Sequence, residues 1–530
     1  MNATNEKKGG REMKDVILVI DNGTQSVRAM LFDKKGTLLE KVKIDIEPYF
    51  SIQPGWAEQE PEYFWGKVCQ ACRKILQTFD GSNYHLSAVG VTAQRNTVVN
   101  VDKTGRSLRP AIHWLDQRRI KKKRVISHMS NLAFKLVKMD QVVTYAYAES
   151  ESNWIRENQP DIWEKTHKYL FLSGYLTFML TGEFVDSVGC QVGYLPFDYK
   201  TFTWTKPGHL YRKMFPMEMD KLPRLIPQTK IMGEITEEAS RATGIAKGTP
   251  VIAAAADKAC EILGAGSITP DIACLSFGTS CTTSVLTKRY VEVIPFVPPY
   301  PSAIPGTYNS EISIFRGFWM VNWFKTEFGQ PEIAKAEKMN IFPEQLFDEM
   351  IANVPPGSMG LLLQPYWTPG VKVPGPEAKG AIIGFGDVHT RAHIYRSILE
   401  GLAYALRDGT EQTAQRTKVP IKSIRISGGG SQSDRAMQIA ADIFNLPAER
   451  PKLYETSGLG VAIDCAVGLG WYSDFPEAVA EMTGISKVFE PNKESSEIYD
   501  ALYRRVYKKM YKNLKHLYHA IKDITGYPEK

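Results

Sequence analysis

The chain has 530 residues, of which 43% are hydrophobic and 23% charged, and its formal net charge is +7 at pH 7. This length is too great for one hydrophobic core and predicts two large domains. No apolar run approaches the ~18 residues that a membrane-spanning helix needs, so a membrane protein is excluded, and the modest charge supplies no case for a nucleic-acid partner.

The cysteines and the start of the chain predict the compartment. Seven cysteines are scattered along the sequence, an odd number that favours free buried thiols in a reducing compartment, here the cytoplasm. Cys69 and Cys72 form a C-x-x-C within a helical pattern, with no second pair, so a structural role is favoured over a metal or redox role. Residues 1–14 lack the apolar core of a signal peptide.

The first predicted element is a hairpin. Val16–Ile20 is an apolar, β-branched run that ends on Asp21, and a second apolar run, Val27–Phe32, follows the turn Asn22–Ser26. Such a turn presents backbone N–H groups and hydroxyls to an anion, and Asp21 can hold a cation beside it. A nucleoside triphosphate with Mg²⁺ needs this combination.

A polar cluster follows the next predicted strand. Pro61–Phe79 is a helical stretch, and the strand Ala88–Ala93 leads into Gln94, Arg95 and Asn96. Farther along, Trp114 precedes Asp116 and Arg118. Arg95, Asn96 and Trp114 supply donors, acceptors and an aromatic platform for a polyhydroxylated substrate, although surface turns and a core tryptophan would leave the same pattern.

Two further stretches of the first half carry expectations about helices. The basic run Arg118, Arg119, Lys121, Lys122, Lys123 and Arg124 has no interleaved aromatic residues, so a solvated helix face is favoured over nucleic-acid binding. Asn153–Leu180 is predicted to be a long, aromatic-rich helical stretch.

A candidate general base closes the first half. The segment 248–257 is a strand of small residues, Val251–Ala256, that leads through Asp257 into a helix beginning at Lys258. Asp257 has two interpretations that the residues leave open. It caps the helix, or its carboxylate takes the proton of a substrate hydroxyl that attacks a γ-phosphate.

The second half repeats the phosphate-binding pattern. Residues 274–285 form strand, turn and strand around Gly278 and Thr279, and Ile421–Phe444 is a strand, a turn at Gly428–Gly430 and a helix. Bare glycines at such turns let a phosphate or a flat ring approach the backbone. No P-loop and no G-x-G-x-x-G after a strand is present, so two strand–Gly-Thr–strand turns predict a duplicated ATPase fold.

The remaining patterns complete a mixed α/β architecture. Helices are predicted at His393–Gln415 and at Gly458–Leu469. Near the C-terminus, a helical stripe is expected to pack on the protein's own body rather than on a partner: Tyr499, Tyr503, Tyr507, Tyr511, Leu514 and Tyr518.

Together these motifs resemble the FGGY family of carbohydrate kinases, over about residues 16–515. The resemblance rests on D-x-G-T-x-S-x-R at 21–28, W-A-E-Q-E-P at 56–61, W-L-D-Q-R at 114–118, L-T-G-E at 180–183, G-T-P-V…A-D at 248–257 and, most specifically, G-G-G-S-Q-S-D-R-A-M-Q-I-A-A-D-I-F at 428–444.

The resemblance implies an α/β fold of two actin-like (ribonuclease H-like) ATPase domains around a central cleft. Residues 14–262 would bind the sugar and carry the base, and residues 263–530 would bind ATP. It implies these roles: Asp257 as base, Asp21 as an Mg²⁺ residue, with Asp257 as a further candidate; Gln94, Arg95, Asn96, Trp114 and Asp257 at the sugar; Thr24, Gln25, Arg28, Gly278, Thr279, Gly428, Gly429 and Gly430 at ATP.

The substrate is less constrained. Glycerol kinases of the family carry Gln-Arg-Glu where this chain has Gln94, Arg95 and Asn96, and an amide replaces two acceptors by one acceptor and one donor. Residues 367–380 also depart from the family pattern, Gly-Glu-Arg-x-Pro. A ketopentose or a four- to six-carbon polyol fits at least as well as glycerol, with xylulose favoured by a small margin.

The leading hypothesis is therefore an ATP- and Mg²⁺-dependent kinase acting on a hydroxyl of a small sugar or polyol. Two alternatives remain at this stage: an actin-like switch ATPase without a sugar substrate, and a degenerate sugar-binding sensor. The expected partners are the small-molecule substrate and, by the habit of the family, other copies of the chain in a homodimer or homotetramer. No nucleic acid or membrane partner is expected.

Overall fold

A computed structural model describes residues 13–120, 140–295, 297–368, 374–375 and 377–527. Two large sheets organise them, one in each half of the chain. The first sheet has six strands in the order β13-β14-β5-β1-β2-β3, and a four-stranded sheet, β4-β7-β6-β8, lies in the same half, with the two-stranded pairs β10-β11 and β12-β9.

The strands of the first half are β1 Lys14–Asn22, β2 Ser26–Asp33, β3 Leu38–Asp45, β4 Glu58–Gln59, β5 Tyr84–Ala93, β6 Val98–Val101, β7 Ala111–Ile112, β8 Lys168–Phe171, β9 Val185–Ser187, β10 Phe197–Asp198, β11 Thr203–Trp204, β12 Arg224–Ile226, β13 Ile231–Glu234 and β14 Pro250–Ile252. The helices there are Pro61–Thr78, Asp140–Glu149, Glu151–Asn158, Pro160–Lys165, Leu172–Thr181, Leu210–Met214, Glu237–Thr243 and Asp257–Gly264.

The second sheet has seven strands in the order β17-β18-β16-β15-β21-β22-β23. The strands of this half are β15 Ile272–Phe277, β16 Cys281–Thr287, β17 Tyr300–Pro301, β18 Tyr308–Ile314, β19 Leu362–Gln364, β20 Ala381–Ile383, β21 Ser423–Ser427, β22 Ala448–Pro451 and β23 Ile485–Phe489. The helices are Trp319–Phe328, Gln330–Met339, Pro343–Met350, Arg391–Thr417, Asp434–Phe444, Thr456–Gly468, Phe475–Met482, Lys493–Leu502 and Lys508–Thr525.

The two large sheets share a connectivity, which confirms both predicted hairpins. β1 pairs antiparallel with β2 and parallel with β5, and β15 pairs antiparallel with β16 and parallel with β21. In each sheet a hairpin turn therefore lies beside the end of a parallel strand. The carboxyl ends of parallel strands meet at one edge of a sheet, so this arrangement gathers the loops that the sequence singles out.

Two helices join the halves through glycine contacts. A Cβ at Gly264 would overlap the carbonyl oxygen of Thr456, and a Cβ at Gly460 would overlap that of Cys260. Helices Asp257–Gly264 and Thr456–Gly468 therefore cross with their backbones in contact, which only glycine permits. The helix that carries Asp257 is in this way fixed to an element from late in the chain.

The expectation of one helical stretch over Asn153–Leu180 is wrong. The segment contains helices Glu151–Asn158 and Pro160–Lys165, strand β8 and helix Leu172–Thr181. Pro160 cannot continue a preceding helix, and β8 pairs along its length with β6. Tertiary pairing decides the structure of an apolar run whose periodicity fits a helix.

The basic run is not the solvated helix face that was expected, as far as the structure describes it. The Arg118 guanidinium is buried against the rings of Trp56 and Trp154, and it pairs with Glu58 and Asp116. Residues 118–120 are not helical. Lys121, Lys122, Lys123 and Arg124 lie outside the described residues.

The tyrosine stripe packs on the protein, as predicted. Tyr499, Tyr503 and Tyr507 are buried, and Tyr404 of helix Arg391–Thr417 contacts all three rings. The stripe is continuous because helix Lys493–Leu502 runs through a π-helical turn, residues 503–507, into helix Lys508–Thr525.

The prediction of free, buried thiols is confirmed. All seven cysteines are buried and unpaired. Burial raises the pKa of Cys69 to about 11, and it raises the pKa of Cys72 further. Both are therefore neutral thiols on the buried face of helix Pro61–Thr78. Among the described residues, no helix combines the length and apolarity needed to cross a bilayer.

Candidate active site

Asp257 lies where β14 leads into a helix between the two halves. The helix begins at Asp257 itself, one residue earlier than predicted, and the carboxylate accepts a 2.7 Å hydrogen bond from the Lys258 backbone N–H. Its side chain keeps 28% exposure, and Arg95 Nε stands 3.9 Å from Oδ1. Burial raises the pKa of Asp257, while Arg95 and Lys258 oppose that shift. A reachable carboxylate of raised pKa is suited to proton transfer.

The first hairpin turn places a second carboxylate near it. Asp21 and Arg28 are partners in the β1–β2 register, and Arg28 Nη1 donates a 2.9 Å hydrogen bond to Asp21 Oδ2. Burial raises the pKa of Asp21 to about 6; Arg28 opposes the shift, and the charge of Asp257 adds to it. The two carboxylates are thus close enough to repel each other's ionised form.

This donor set suits a magnesium ion that arrives with phosphates. Mg²⁺ is held through one or two carboxylates and substrate oxygens rather than by a cage of protein ligands. The described parts of the chain contain no cluster of three or more metal-ligating side chains, so Asp21 and Asp257 would share a metal with the nucleotide. Their mutual repulsion is the electrostatic condition that a cation relieves.

The Gly-Thr turn of the second half meets the glycine-rich turn. Gly428 has φ +84°, and a Cβ there would lie 2.8 Å from the carbonyl carbon of Phe277. Gly278 and Thr279 accept hydrogen bonds through their carbonyls from Phe318 N (3.0 Å) and Gly317 N (2.9 Å). The β15–β21 pairing therefore brings Gly278 and Thr279 together with Gly428–Gly430, as the sequence predicts.

Residues 454 and 455 connect the first turn to this glycine cluster. Glu455 lies 3.6 Å from Arg28 Nε and accepts a 2.8 Å bond from Lys41. A Cβ at Gly429 would lie 3.5 Å from Tyr454 Oη. Arg28 of the first turn is thus linked to the glycine-rich turn through Tyr454 and Glu455. The Gln25 carbonyl accepts a 3.0 Å hydrogen bond from Ile46 N, which fixes the first turn to the residue that follows β3.

The cluster at the end of β5 has unsatisfied polar atoms. Gln94 is 3% exposed, and neither atom of its amide has a partner among the described residues. Asn96, at φ +55°, donates a 2.7 Å hydrogen bond to Glu151, while its Oδ1 has no partner there. Buried amides without partners are costly, so these atoms are positioned for a ligand that supplies hydrogen bonds.

Trp114 connects this cluster to the first hairpin turn. Its indole Nε1 donates a 3.0 Å hydrogen bond to Thr24 Oγ1. The five residues predicted at the sugar are thereby located at one end of the first sheet: Arg95 lies beside Asp257, and Trp114 lies beside the first turn. Asn96 and Gln94 follow directly on the same strand end.

Sequence reasoning missed three groups that complete the site. Glu151 is buried, and burial raises its pKa to about 8, so it is a neutral carboxylic acid beside Asn96 at neutral pH. Glu311 of β18 accepts hydrogen bonds from both terminal nitrogens of Arg95, at 3.2 and 2.9 Å. Both lie far along the chain from their partners, and no local pattern marks them.

The third missed group starts at Lys258. Its Nζ donates 2.7 Å hydrogen bonds to Glu261 Oε2 and to Ser276 Oγ, and Ser427 Oγ donates a 2.6 Å bond to Glu261 Oε1. The helix of Asp257 is thereby tied to the ends of β15 and β21. The i, i+3 spacing of Lys258 and Glu261 was the available signal.

The chain is similar to known carbohydrate kinases over most of its length. The N-terminal domain of the FGGY family of carbohydrate kinases matches residues 16–264, and its C-terminal domain matches residues 273–469. The uncharacterized sugar kinase YgcE of Escherichia coli K12 is 30% identical over 501 residues, 94% of each chain. A xylulose kinase of Staphylococcus epidermidis is 28% identical, covering 97% of this chain and all of that one.

The overall fold is similar to that of a solved carbohydrate kinase. The crystal structure of gluconate kinase from Lactobacillus acidophilus superposes with a TM-score of 0.81 at 22% identity, over 96% of this chain and 99% of that one. The mixed α/β fold of two actin-like domains around a cleft, expected from the motifs, is therefore confirmed.

Proposed function

We propose that this chain, which belongs to the FGGY family of carbohydrate kinases and is an ATP-dependent sugar kinase, uses Asp257 as its general base. The proposed acceptor is a terminal hydroxyl of a small sugar or polyol. One observation carries the proposal: Asp257 combines exposure, a raised pKa and a neighbouring guanidinium beside the strand end that holds Gln94, Arg95 and Asn96.

In this mechanism Asp257 accepts the proton of the acceptor hydroxyl as its oxygen attacks the γ-phosphorus of ATP. Arg95 Nε stands 3.9 Å from the carboxylate, and its charge opposes the rise in the pKa of Asp257 that burial causes. The amide of Gln94 and Oδ1 of Asn96, which have no partner among the described residues, bind the other hydroxyls of the acceptor.

The nucleotide would occupy the opposite side of the cleft. Thr24, Gln25 and Arg28 belong to the first turn; Gly278 and Thr279 would face the β- and γ-phosphates, and Gly428–Gly430 would lie against the adenosine. Magnesium, when bound by Asp21 with Asp257, supplies positive charge to the phosphate oxygens. The bare glycines permit close approach, and Arg28 adds a fixed cation.

Among acceptors, we favour a ketopentose such as xylulose. Support comes from the similarity to the Staphylococcus epidermidis xylulose kinase across the full length of that relative. Asn96 in place of a carboxylate also weakens the case for glycerol. We further propose the domain division 14–262 and 263–530, a homodimer or homotetramer, and a cytoplasmic location, the last supported by seven unpaired thiols.

The test is ADP release by the purified protein with Mg-ATP. The acceptors are xylulose, ribulose, glycerol, erythritol, gluconate, rhamnulose and fuculose, with a blank lacking sugar. We expect a strong response to one acceptor, lost in Asp257→Asn while ATP binding persists. Turnover like that of the wild type in Asp257→Asn would overturn the assignment of the base, and ADP release independent of sugar would favour a switch ATPase.

A further inference from the structure

The guanidinium nearest the proposed base is already occupied by a carboxylate from the other half of the chain. Glu311 lies on β18 and accepts two hydrogen bonds from Arg95, and its side chain is only 5% exposed. Ser313 Oγ donates a further 3.0 Å bond to Glu311 Oε1. Burial disfavours the charge of Arg95, but Glu311 and Asp257 outweigh it and raise its pKa.

A small cavity opens between these groups, and two of its lining residues, Ala256 and Lys258, flank Asp257 in the sequence. Its lining includes Arg95, Lys258, Tyr300, Asn309 and Glu311. The Tyr300 ring lies 5.5 Å from the Arg95 guanidinium. Asn309, one of the lining residues, is 3% exposed, and its Oδ1 has no partner in the described chain.

The charges of this region are paired within the protein before any substrate enters, and three carboxylates face two cations. Arg95 is matched by Glu311 and Asp257, and Lys258 is matched by Glu261. An arginine binds a carboxylate best through its two parallel N–H donors, and Glu311 uses both. A free carboxylate would meet an occupied guanidinium and the oxygen of Asn309, whereas a hydroxyl can donate to that oxygen.

We infer that Glu311 makes the acceptor site selective for uncharged sugars and polyols over aldonates, by occupying the terminal nitrogens of Arg95. Glu311 is a specificity-determining residue contributed by the half of the chain assigned to ATP. This inference rests on the proposed function, since it concerns the same acceptor site.

The experiment compares acceptor pairs that differ in one group. Xylitol with xylonate, ribitol with ribonate, and sorbitol with gluconate each exchange a terminal CH₂OH for a carboxylate. Affinities are measured by calorimetry without ATP and by competition against the best acceptor in the kinase assay. In the wild type we expect each aldonate to bind at least about tenfold more weakly than its polyol, the range of one charged hydrogen bond.

Glu311→Gln should release the guanidinium. We expect the aldonate-to-polyol affinity ratio to rise at least about tenfold, on the same charged hydrogen-bond scale, while the KM for ATP stays constant. Glu311→Asp keeps the charge and should keep the wild-type preference. Glu311→Met, similar in volume, replaces Glu311→Gln if that variant does not fold.

Glu332→Gln is the matched control. Arg391 donates to Glu332 through two nitrogens, at 2.6 and 2.7 Å, so this variant removes an equivalent pair away from the cleft. It should leave the ratio unchanged. Equal wild-type affinity for polyol and aldonate, or an unchanged ratio in folded Glu311→Gln, would overturn the inference. Binding is measured without ATP, so a protein that fails to transfer phosphate contradicts the proposed function but still gives the affinity ratio. A protein that binds no uncharged acceptor overturns both the proposed function and the inference about Glu311.

Discussion

Trp114 donates a hydrogen bond from its indole Nε1 to Thr24 Oγ1 at 3.0 Å, so the tryptophan of the proposed sugar site holds a hydroxyl of the proposed phosphate turn. The two functions predicted for separate segments are therefore mechanically joined. We expect a change at the sugar side to reach the first turn through this side-chain contact.

Replacing Trp114 by Phe keeps an aromatic face and removes this donor. We expect kcat/KM for the acceptor to fall up to about tenfold, the scale of one neutral hydrogen bond. Kinetics of Trp114→Phe, Thr24→Val and the double variant form a cycle that isolates the contact. Strict additivity of the two single effects would show that the hydrogen bond does not couple the sites.

The pH dependence of activity should have an acidic limb. Burial raises the pKa of Asp21 to about 6, and burial also raises that of Asp257. Both carboxylates must be ionised to work, so kcat/KM should fall as the pH drops through about 6. More Mg²⁺ should move the midpoint to lower pH, because the cation competes with the proton. An activity that stays level down to pH 5 would contradict this account.

Glu151 should make the protein less stable as the pH rises. Burial raises its pKa to about 8, so the folded chain keeps a proton that the unfolded chain loses above its ordinary value of 4.5. Between those values the folded state binds more protons, and stability declines by up to about 1.4 kcal/mol per pH unit. Glu151→Gln removes the ionisation and keeps an acceptor for Asn96.

Thermal melting of Glu151→Gln and wild type at pH 5 and pH 8 tests this sign. The variant should melt clearly above the wild type at pH 8 and close to it at pH 5. A wild-type advantage that grows with pH would show that Glu151 is ionised in the folded protein.

Gly460→Ala should destabilise the protein. Its Cβ would overlap the Cys260 carbonyl, and the neighbouring backbone cannot yield easily, so a loss of about 1–3 kcal/mol is expected from overpacking. Gly66→Ala is the matched control, since Gly66 lies in helix Pro61–Thr78 with nothing within 4 Å of its Cβ position. That change should stabilise the helix by up to about 1 kcal/mol. Equal melting temperatures for the two variants would contradict the close helix crossing.

Much of this fold could be predicted because its signals are local. The hairpins around Asp21 and Gly278, and the strand and helix that flank Gly428–Gly430, are marked by apolar runs with turn residues between them. The division of Asn153–Leu180 could not be predicted, because β8 exists through pairing with β6. The burial of Arg118 likewise depends on two tryptophans distant in the chain.

The same distinction applies to the site. Asp257 and Arg95 each follow a strand of small or apolar residues, so their position at a strand end could be predicted from the sequence. Glu311 lies 216 residues from Arg95 and has no local mark, and only the packing of β18 against the first half reveals it. The raised pKa of Glu151 likewise arises from burial that no sequence window contains.

Helix Thr456–Gly468 has a consequence for how the chain is made. Val461 and Cys465 lie beside Gly90 of β5. One hydrophobic cluster joins Ile17 and Val19 of β1 to the apolar residues of this helix, Leu459, Val461, Ala462, Ile463, Cys465 and Ala466. During synthesis, the part of that face beside Gly90 lacks this covering helix until Val461, 371 positions later, has emerged. Folding of the first half thus finishes only when the second is nearly complete, and a nascent chain interrupted before residue 456 presents an apolar sheet face to chaperones or to aggregation.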